Sequence, residues 1–416
     1  LHFRYNADWD GMRTNWLPKA EQVLNSYLND FTKTDPDGTL RVLPMGSPEF
    51  LHGEYFKEVD NTHYNVALMH WLASSLDEVA DKTGGHPGQS KWQDTVTRLP
   101  AFPVDENGFM IGEDQSFDRS HRHFCHMMAF YPLFVLDPND PKNNALLRKS
   151  IDHWFAIANP DGMRDLCNFS FAYGASTYAV LNDGERAYGL LNDYIDNRIL
   201  EMNTQFKDFK TANTFQVFSD GLNPCIETPL GAANAMLELL LLSHSGQVQV
   251  FPAVPDSWDN AVFDNLRAQG AFLVSAQRSD SRTQWVSVES LAGEPLTLKV
   301  GDWKGLPTVV GADASILRET QPGTYSIALA KGQRITLFPA GTRPHPVAVQ
   351  ALPRAAETLN PYGVKKGQNL TTHQIHAEFD FHTNTPIPVP PLHGPRLASA
   401  QREPVVATWK TPNAAY

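Results

Sequence analysis

Residues 226–244 read IETPLGAANAMLELLLLSH, and this stretch decides how the rest of the chain is interpreted. Thr228 is a favoured N-cap residue, and Pro229 suits the first helical position because its missing N–H would have no intrahelical partner there. The run that follows is almost entirely apolar, with Glu238 as its one charge, which predicts a helix buried nearly all round. Glu227 then lies just outside a helix N-terminus, where it is either a functional carboxylate or an ordinary cap or ion-pair partner.

The chain before this stretch is predicted to be helical. Apolar residues recur at helical spacing in the ranges 16–31, 65–80, 92–99, 144–157, 169–181 and 185–199. Ser120 can cap a further helix through the sequence SHRHFCHMMAFYPLFVL. Long loops separate several of these segments, and such loops in a compact helical domain usually carry function. No strand–helix alternation precedes residue 245, which argues against an α/β sheet.

After His244 the pattern becomes alternating. The runs QVQVF, FLVSAQ, TQWVSVES, LTLKV, TYSIALA and QRITLF alternate apolar with polar residues between turn signals, which predicts the antiparallel strands of a β-sandwich. We therefore expect a helical domain over 1–245, a β-sandwich over 246–340 and an extended proline-rich arm over 341–416, with one strand near 374–382.

The composition indicates a folded, acidic protein. The 416 residues include 42% hydrophobic side chains and carry a formal net charge of −12. This charge argues against nucleic-acid binding, which needs a basic surface to displace counterions. No apolar run approaches the ~20 residues that span a bilayer, so no membrane span is expected. Cys125, Cys167 and Cys225 match no zinc or redox spacing, and we expect buried thiols, no metal and no cofactor.

A histidine-rich cluster, His121, Arg122, His123 and His126, follows Ser120. Histidines at i and i+2 point to roughly opposite sides of a helix, whereas helical metal ligands sit at i and i+4, so metal binding is disfavoured. Core packing of one or two of these histidines is an alternative. We favour recognition of sugar or polyol hydroxyls, because His and Arg at a loop–helix junction can donate to several oxygens.

Carboxylates form a second set of candidates, namely Glu49, Asp60, Glu113, Asp114 and Glu227, with Asn61 beside Asp60. Glycoside hydrolysis needs two carboxyl groups across a cleft, one protonated to release the leaving oxygen and one ionised to activate water. Taken singly, each acid is more simply explained as a solvated surface residue.

Phe169 and Tyr173 form a third set, four residues apart in NFSFAY. Aromatic faces can stack on the apolar face of a sugar. The same spacing on a helix is also typical of core packing, so the pair alone is a weak signal.

The order of these segments resembles the catalytic half of family-95 glycoside hydrolases, the inverting fucosidases and galactosidases that act on α-L-sugars. The resemblance spans roughly residues 15–340 and rests on blocks in the family's order: Ser47-Pro48-Glu49, His121-Arg122-His123, Tyr131-Pro132, Phe169–Tyr173, Ile226–Gly231 and Ser243-His244. Phe169 and Tyr173 stand where the family has two tryptophans, and Glu227 stands where it has an aspartate.

The resemblance implies an (α/α)6 toroid flanked by β domains. It implies that Glu49 is the general acid and that Glu227 occupies the position of an aspartate that polarises the base. The family's base is an asparagine pair, Asn-x-Asn, upstream of the first shared helix. Asn6 and Asn15 lack that pattern, so we expect either that residues before Leu1 are missing or that this relative uses Glu227 itself as the base.

The sequence thus predicts an exo-acting, inverting glycoside hydrolase that cleaves an α-L-fucosyl or similar bond in an oligo- or polysaccharide. Two alternatives are a catalytically inactive carbohydrate-binding toroid and a polysaccharide lyase in which the His121 block is catalytic. Substrate contacts are expected from His121, Arg122, His123, His126, Phe169, Tyr173, Asp60 and Asn61. We also expect an extracellular or periplasmic location, and oligomerisation, if it occurs, through the C-terminal arm.

Overall fold

The computed structural model describes residues 2–48, 50, 58–158, 166–196, 209–210, 216–217, 224–225, 227–349, 377–380 and 385–388. Its α-helices are α1 His2–Asn6, α2 Trp9–Gly11, α3 Leu17–Asp30, α4 His63–Lys82, α5 Gln89–Arg98, α6 Pro141–Ala156, α7 Asn168–Val180, α8 Gly184–Asp196 and α9 Glu227–Leu240. A π-helical turn, Met12–Trp16, joins α2 to α3. The six helices predicted between residues 16 and 199 correspond to α3–α8, with ends shifted by a few residues.

The start of α6 shows how local sequence sets these ends. Asp140 accepts hydrogen bonds from the backbone N–H groups of Lys142 and Asn143 at 2.8 and 3.2 Å. Pro141 occupies the first helical position, where the missing N–H costs nothing. The helix therefore begins three residues before the apolar pattern that predicted it.

Short strands interrupt the helical part. They are β1 Thr32–Thr34 with β2 Leu40–Val42, β3 Val104–Asp105 with β4 Gly108–Phe109, and the three-stranded set β5 Phe209–Lys210, β6 Gln216–Val217 and β7 Pro224–Cys225. All of these pairs are antiparallel. None of them alternates with helices in the manner of a parallel α/β sheet.

Residues 241–338 form a β-sandwich, as predicted. Its strands are β8 Leu241–His244, β9 Gln247–Val250, β10 Ala261–Ala268, β11 Phe272–Ser279, β12 Arg282–Ser290, β13 Leu296–Val300, β14 Thr308–Val310, β15 Leu317–Gln321, β16 Thr324–Ile327 and β17 Arg334–Phe338. They make two five-stranded sheets, β10-β11-β12-β17-β14 and β15-β16-β13-β9-β8. The pairing is antiparallel except between β13 and β9. Apolar residues of both sheets share one core that includes Phe272, Val286, Leu298 and Tyr325.

The prediction of a helix after Ser120 is wrong. The only helical piece between residues 120 and 136 is the 3₁₀ turn Cys125–Met127. Pro132 lacks an N–H and would clash with a preceding helical turn, and Phe134 has a left-handed φ of +49°, which a right-handed helix cannot contain. The apolar pattern there reflects burial of an irregular segment, since Met127 and Phe130 are fully buried.

The prediction for residues 226–244 needs two corrections. The helix begins at Glu227 and ends at Leu240, and β8 follows at once, because a short apolar run alone cannot distinguish the end of a helix from a strand. The helix is not buried all round, since Leu230 and Leu237 are 62% and 47% exposed. Its buried face is formed by Thr228, Ala232, Ala235 and Leu239.

In the predicted C-terminal arm, β18 Ala377–Asp380 lies within the expected strand near 374–382 and pairs antiparallel with β19 Thr385–Pro388. Most of the remaining arm lies outside the described residues. Within the described ranges, no helix is both long enough and apolar enough to cross a membrane.

Candidate functional site

Helices α7 and α9 pack side by side and run parallel. A Cβ atom at Gly231, the fifth residue of α9, would lie 3.1 Å from the ring of Phe169 and 3.4 Å from the Cβ of Ala172, the second and fifth residues of α7. Further along both helices, Ser176 hydrogen-bonds to Glu238. The two N-termini therefore lie at the same end of the helical domain, and Phe169 packs beside Gly231, four residues after Glu227.

Glu227 is exposed at this end. It is the first residue of α9, two positions before Pro229, the predicted first helical residue, and Thr228, the predicted cap, is 1% exposed. The free N–H groups of a helix N-terminus favour an anion nearby. The arrangement thus presents a carboxylate to solvent beside the half-buried ring of Phe169.

The loop that carries His121, Arg122 and His123 lies against the start of α7. The Ser170 hydroxyl donates to the carbonyl oxygen of Arg122 at 2.8 Å, and the Trp154 indole N–H donates to that of His121 at 2.6 Å. The rings of His121 and His123 are 5.1 Å apart. These contacts fix the backbone of the loop and bring it to the end of the domain where Glu227 is exposed.

His126 and Tyr173 are core residues in this structure. His126 is 1% exposed and stacks on Phe117 with ring centroids 4.0 Å apart. Burial lowers the pKa of His126 well below its ordinary value. Tyr173 is 4% exposed, stacks on Phe124, and donates its hydroxyl hydrogen to the carbonyl oxygen of Tyr131 at 2.8 Å. The alternative of core packing, which the spacing of these residues left open, therefore describes both side chains.

Asp60 and Asn61 belong to a polar network before α4. Arg41 contacts Asp60 at 3.0 Å and Glu113 at 3.3 Å. The Asn61 side chain accepts from the backbone N–H of Val42 and donates to Glu113, both at 2.8 Å. Asn61 has a φ of +50°, which asparagine tolerates better than most residues. These contacts hold the segment before α4 in place, and substrate binding by Asp60 and Asn61 stays a prediction.

A part-buried polar group that sequence reasoning did not assign lies further along α9. The Tyr131 hydroxyl donates to Oε1 of Glu238 at 2.9 Å, and the Asn234 amide donates to the Tyr131 oxygen at 2.9 Å. Burial raises the pKa of Glu238 to about 7, although hydrogen bonds from Ser176, Tyr131 and Asn234 oppose the rise. The only signal in the sequence was a single charge within an apolar run.

Glu49 lies outside the described residues, so its predicted role as general acid stays a prediction. Among the residues that the structure does describe, no group of three or more His, Cys, Asp or Glu side chains is arranged to hold a metal ion. At this end of the domain the structure places the exposed carboxylate of Glu227, the ring of Phe169 and the His121–His123 loop.

Comparison with known families identifies both parts of the chain. Residues 1–240 match the glycosyl hydrolase family 95 catalytic domain, and residues 242–337 match the glycoside hydrolase family 95 C-terminal domain. The chain belongs to glycoside hydrolase family 95. The two family 95 matches meet where α9 passes into β8, so the division follows the change from helix to strand.

A comparison of the sequence with curated proteins found no match. Among solved structures, the chain is similar to an alpha-L-rhamnosidase from Dictyoglumus thermophilum, with 11% sequence identity and a TM-score of 0.43. That similarity covers 81% of this family 95 chain and 38% of the rhamnosidase chain. The similar region therefore covers well under half the length of that protein.

Proposed function

We propose that this protein is a glycosidase that releases an α-L-fucosyl or similar terminal residue from an oligo- or polysaccharide with inversion at the anomeric carbon. The observation that carries the proposal is the exposed Glu227 at the N-terminus of α9, within a segment that matches the family 95 catalytic domain. Phe169 and the His121–His123 loop lie at the same end. Together they offer a carboxylate, an aromatic ring and hydrogen-bond donors to a sugar.

The chemistry assigns one role to each of two carboxyl groups. Glu49, as a protonated acid, would give its proton to the leaving oxygen, while water attacks the anomeric carbon from the opposite face. Glu227 would take the proton of that water or hold an amide base in position to do so. The helix N-terminus supports an anion at Glu227 in either role.

We also propose that the helices belong to an (α/α)6 toroid. In such a toroid the inner helices run parallel and the active site lies at one of their ends. The parallel packing of α7 and α9, with Glu227 at their shared end, supports this arrangement.

Glu227→Gln and Glu49→Gln provide the direct test. Each replacement keeps the side-chain volume but removes the ability to exchange a proton, so we expect each to lower kcat on an aryl α-L-fucoside by at least about 100-fold. Binding of L-fucose should survive in both variants. Glu106→Gln, at an exposed position in the turn between β3 and β4, is the matched control and should retain full activity.

Product analysis separates this proposal from its alternatives. Release of the free sugar in the inverted anomeric form, followed by NMR, supports the hydrolase. Sugar binding with no product would instead support a binding protein. An unsaturated product would assign a lyase. Near-full activity of either Gln variant would remove that residue from its proposed role.

An extracellular or periplasmic location, and oligomerisation through the 341–416 arm, are further proposals. Fractionation of the native source tests the first. Size-exclusion chromatography of the full chain and of a variant that ends at residue 341 tests the second, because loss of the arm should lower the apparent mass to that of a monomer.

A further inference from the structure

Phe50, the residue after Glu49 in the chain, is held firmly in the helical domain. Ser47 and Phe50 are each 5% exposed, and the backbone N–H of Phe50 donates to the carbonyl oxygen of Ser47 at 3.2 Å. Phe50 also belongs to the apolar core of the helical domain. Consecutive Cα atoms are about 3.8 Å apart, so the contacts that hold Phe50 also limit the position of the residue before it.

Three aromatic side chains, Phe50, Phe117 and His126, form a cluster. The ring centroid of Phe50 lies 5.6 Å from that of Phe117, and Phe117 stacks on His126 at 4.0 Å. The ring of His121 lies edge-to-face against Phe50 at 5.5 Å. Such arrangements of aromatic rings contribute stability beyond the area that they bury. The cluster therefore fixes Phe50 against the His121–His123 loop.

Phe117 is the central member of this cluster and is itself held in place. Nε2 of His153 donates to the carbonyl oxygen of Phe117 at 2.9 Å, and the Phe117 side chain is 2% exposed. His126 is 1% exposed, and its two ring nitrogens have no hydrogen-bond partner among the described residues. Within the described part of the chain, His126 therefore contributes to the cluster as an aromatic ring.

A general acid depends on support of this kind. Its carboxyl group must lie within hydrogen-bond reach of the leaving oxygen, and a displacement of about 1 Å can lower a rate by about 100-fold. The catalytic role of Glu49 is part of the proposed function, on which this inference rests. The cluster contacts His121, whose loop lies at the end of the domain where Glu227 is exposed.

We infer that Phe117 is a positioning residue for the general acid. Its ring supports Phe50 against His121, and so keeps the segment that carries Glu49 at the end of the domain where Glu227 is exposed. Loss of the ring should impair proton transfer to the leaving oxygen, while binding of the sugar is retained.

Two substrates that share a sugar but differ in their leaving group test the inference. Phenolate leaves slowly unless it is protonated, whereas 2,4-dinitrophenolate leaves without a proton because its nitro groups delocalise the charge. We expect Phe117→Leu to lower kcat/KM about 10- to 100-fold on phenyl α-L-fucoside, but less than about threefold on 2,4-dinitrophenyl α-L-fucoside. Partial unfolding or a displaced His121 would lower both values by the same factor, because the two substrates carry the same sugar.

Phe338→Leu is the matched control. Phe338 is a buried aromatic residue of β17 in the sandwich and is 1% exposed. Its replacement should leave the ratio of the two kcat/KM values, dinitrophenyl over phenyl, as it is in the wild type.

His126 provides a second test if Phe117→Leu does not fold. His126→Leu removes a ring from the cluster and should raise the ratio, as Phe117→Leu does. His126→Phe keeps a ring beside Phe117 and should restore the wild-type ratio.

Glu49→Gln separates this inference from the proposed function. It should also lose activity selectively on the phenyl substrate. If it does so while folded Phe117→Leu and His126→Leu keep the wild-type ratio, the inference is overturned and the proposed function stands. No hydrolysis of either fucoside by the wild type, or equal losses on both substrates in Glu49→Gln, would overturn the proposed role of Glu49 and this inference with it.

Discussion

Two glutamates on one helix occupy opposite environments. Glu227 is exposed at the first position of α9, whereas Glu238 accepts a hydrogen bond from Tyr131 in a part-buried network. An exposed carboxylate at a helix N-terminus suits a reacting group. A carboxyl group held by neutral donors suits a structural role, and burial raises the pKa of Glu238 to about 7.

Glu238→Gln should remove a pH dependence of stability. The pKa of Glu238 is raised from 4.5 to about 7, so the folded state binds this proton more tightly than the unfolded state. The stabilisation is complete below about pH 4.5 and is lost as pH rises to about 7. We expect the Gln variant to gain at most about 3 kcal/mol relative to wild type between pH 4.5 and pH 8 in urea unfolding.

Leu237→Gln is the control for that measurement. It places the same amide on the exposed neighbouring position of α9 and should change stability by an amount that does not depend on pH. Parallel stability curves for wild type and Glu238→Gln would contradict the assignment.

At this scale the sequence located Glu227 but not the network around Glu238. A carboxylate near a helix start can be recognised from Thr228, Pro229 and the apolar run, because those signals are local. The partner of Glu238 is Tyr131, 107 residues earlier in the chain. No local pattern specifies such a pairing, and the same limit left the burial of His126 and Tyr173 as one of two open alternatives.

Two glycines, Gly174 in α7 and Gly189 in α8, differ in how closely neighbouring helices approach them. A Cβ atom at Gly174 in α7 would lie 2.6 Å from Phe155 of α6 and 2.9 Å from Leu190 of α8. Gly189 in α8 has no atom within 4 Å of the equivalent position. Gly174 therefore has no room for a side chain, whereas Gly189 has open space around it.

The same substitution should therefore have opposite effects at these positions. Gly174→Ala forces side chains of two neighbouring helices to move and should destabilise the protein by about 1–3 kcal/mol. Gly189→Ala improves helix propensity without a clash and should stabilise it by about 0.5–1 kcal/mol. Thermal and urea unfolding of both variants would check this. A stabilising Gly174→Ala would show that α6, α7 and α8 are packed less tightly than described.

Elements with clear periodicity, such as α3 and β12, were predicted from the sequence with little error. The prediction failed for the segment after Ser120 and at the end of α9, for the same physical reason. Both are continuous apolar runs, and burial of an irregular segment or a strand produces the same composition as a buried helix. Tertiary contacts decide between them, such as those that bury Met127 in the helical core.

At the scale of the whole molecule, the N-terminal helices connect the two domains. The Trp9 indole donates to Glu294 of the sandwich, and the backbone N–H of Gly270 donates to the carbonyl oxygen of Arg4 at 2.9 Å. Lys82, at the end of α4, also binds Glu294. The helix-then-strand order predicted two domains, but it contained no information about how they contact one another.

Glu294→Gln should weaken this contact in a pH-dependent way. Burial raises the pKa of Glu294, but hydrogen bonds from Lys82 and Trp9 outweigh burial and hold the pKa below its ordinary value of 4.5. The stabilisation that ionised Glu294 gives through Lys82 and Trp9 is therefore present above about pH 4.5 and is lost as pH falls below it. We expect a loss of about 1 kcal/mol at pH 7 that shrinks in acid, measured by urea unfolding.

Glu289→Gln provides the comparison within one domain. Glu289 pairs with Arg334 across strands β12 and β17, and the arginine side chain is 54% exposed. Its replacement should cost less than about 0.5 kcal/mol. An equal loss in both variants would mean that the contact at Glu294 adds nothing beyond an ordinary surface ion pair.

The direct passage from α9 into β8 has a mechanical consequence. The backbone N–H of Phe251 donates to the carbonyl oxygen of Leu240 at 2.8 Å, and that of Ala253 donates to Leu239 at 3.4 Å. The sandwich therefore supplies the partners that the last carbonyls of a helix lack. These two hydrogen bonds fix the C-terminal end of α9 to the sandwich. A rotation of the sandwich would therefore also move α9, which carries Glu227 at its other end.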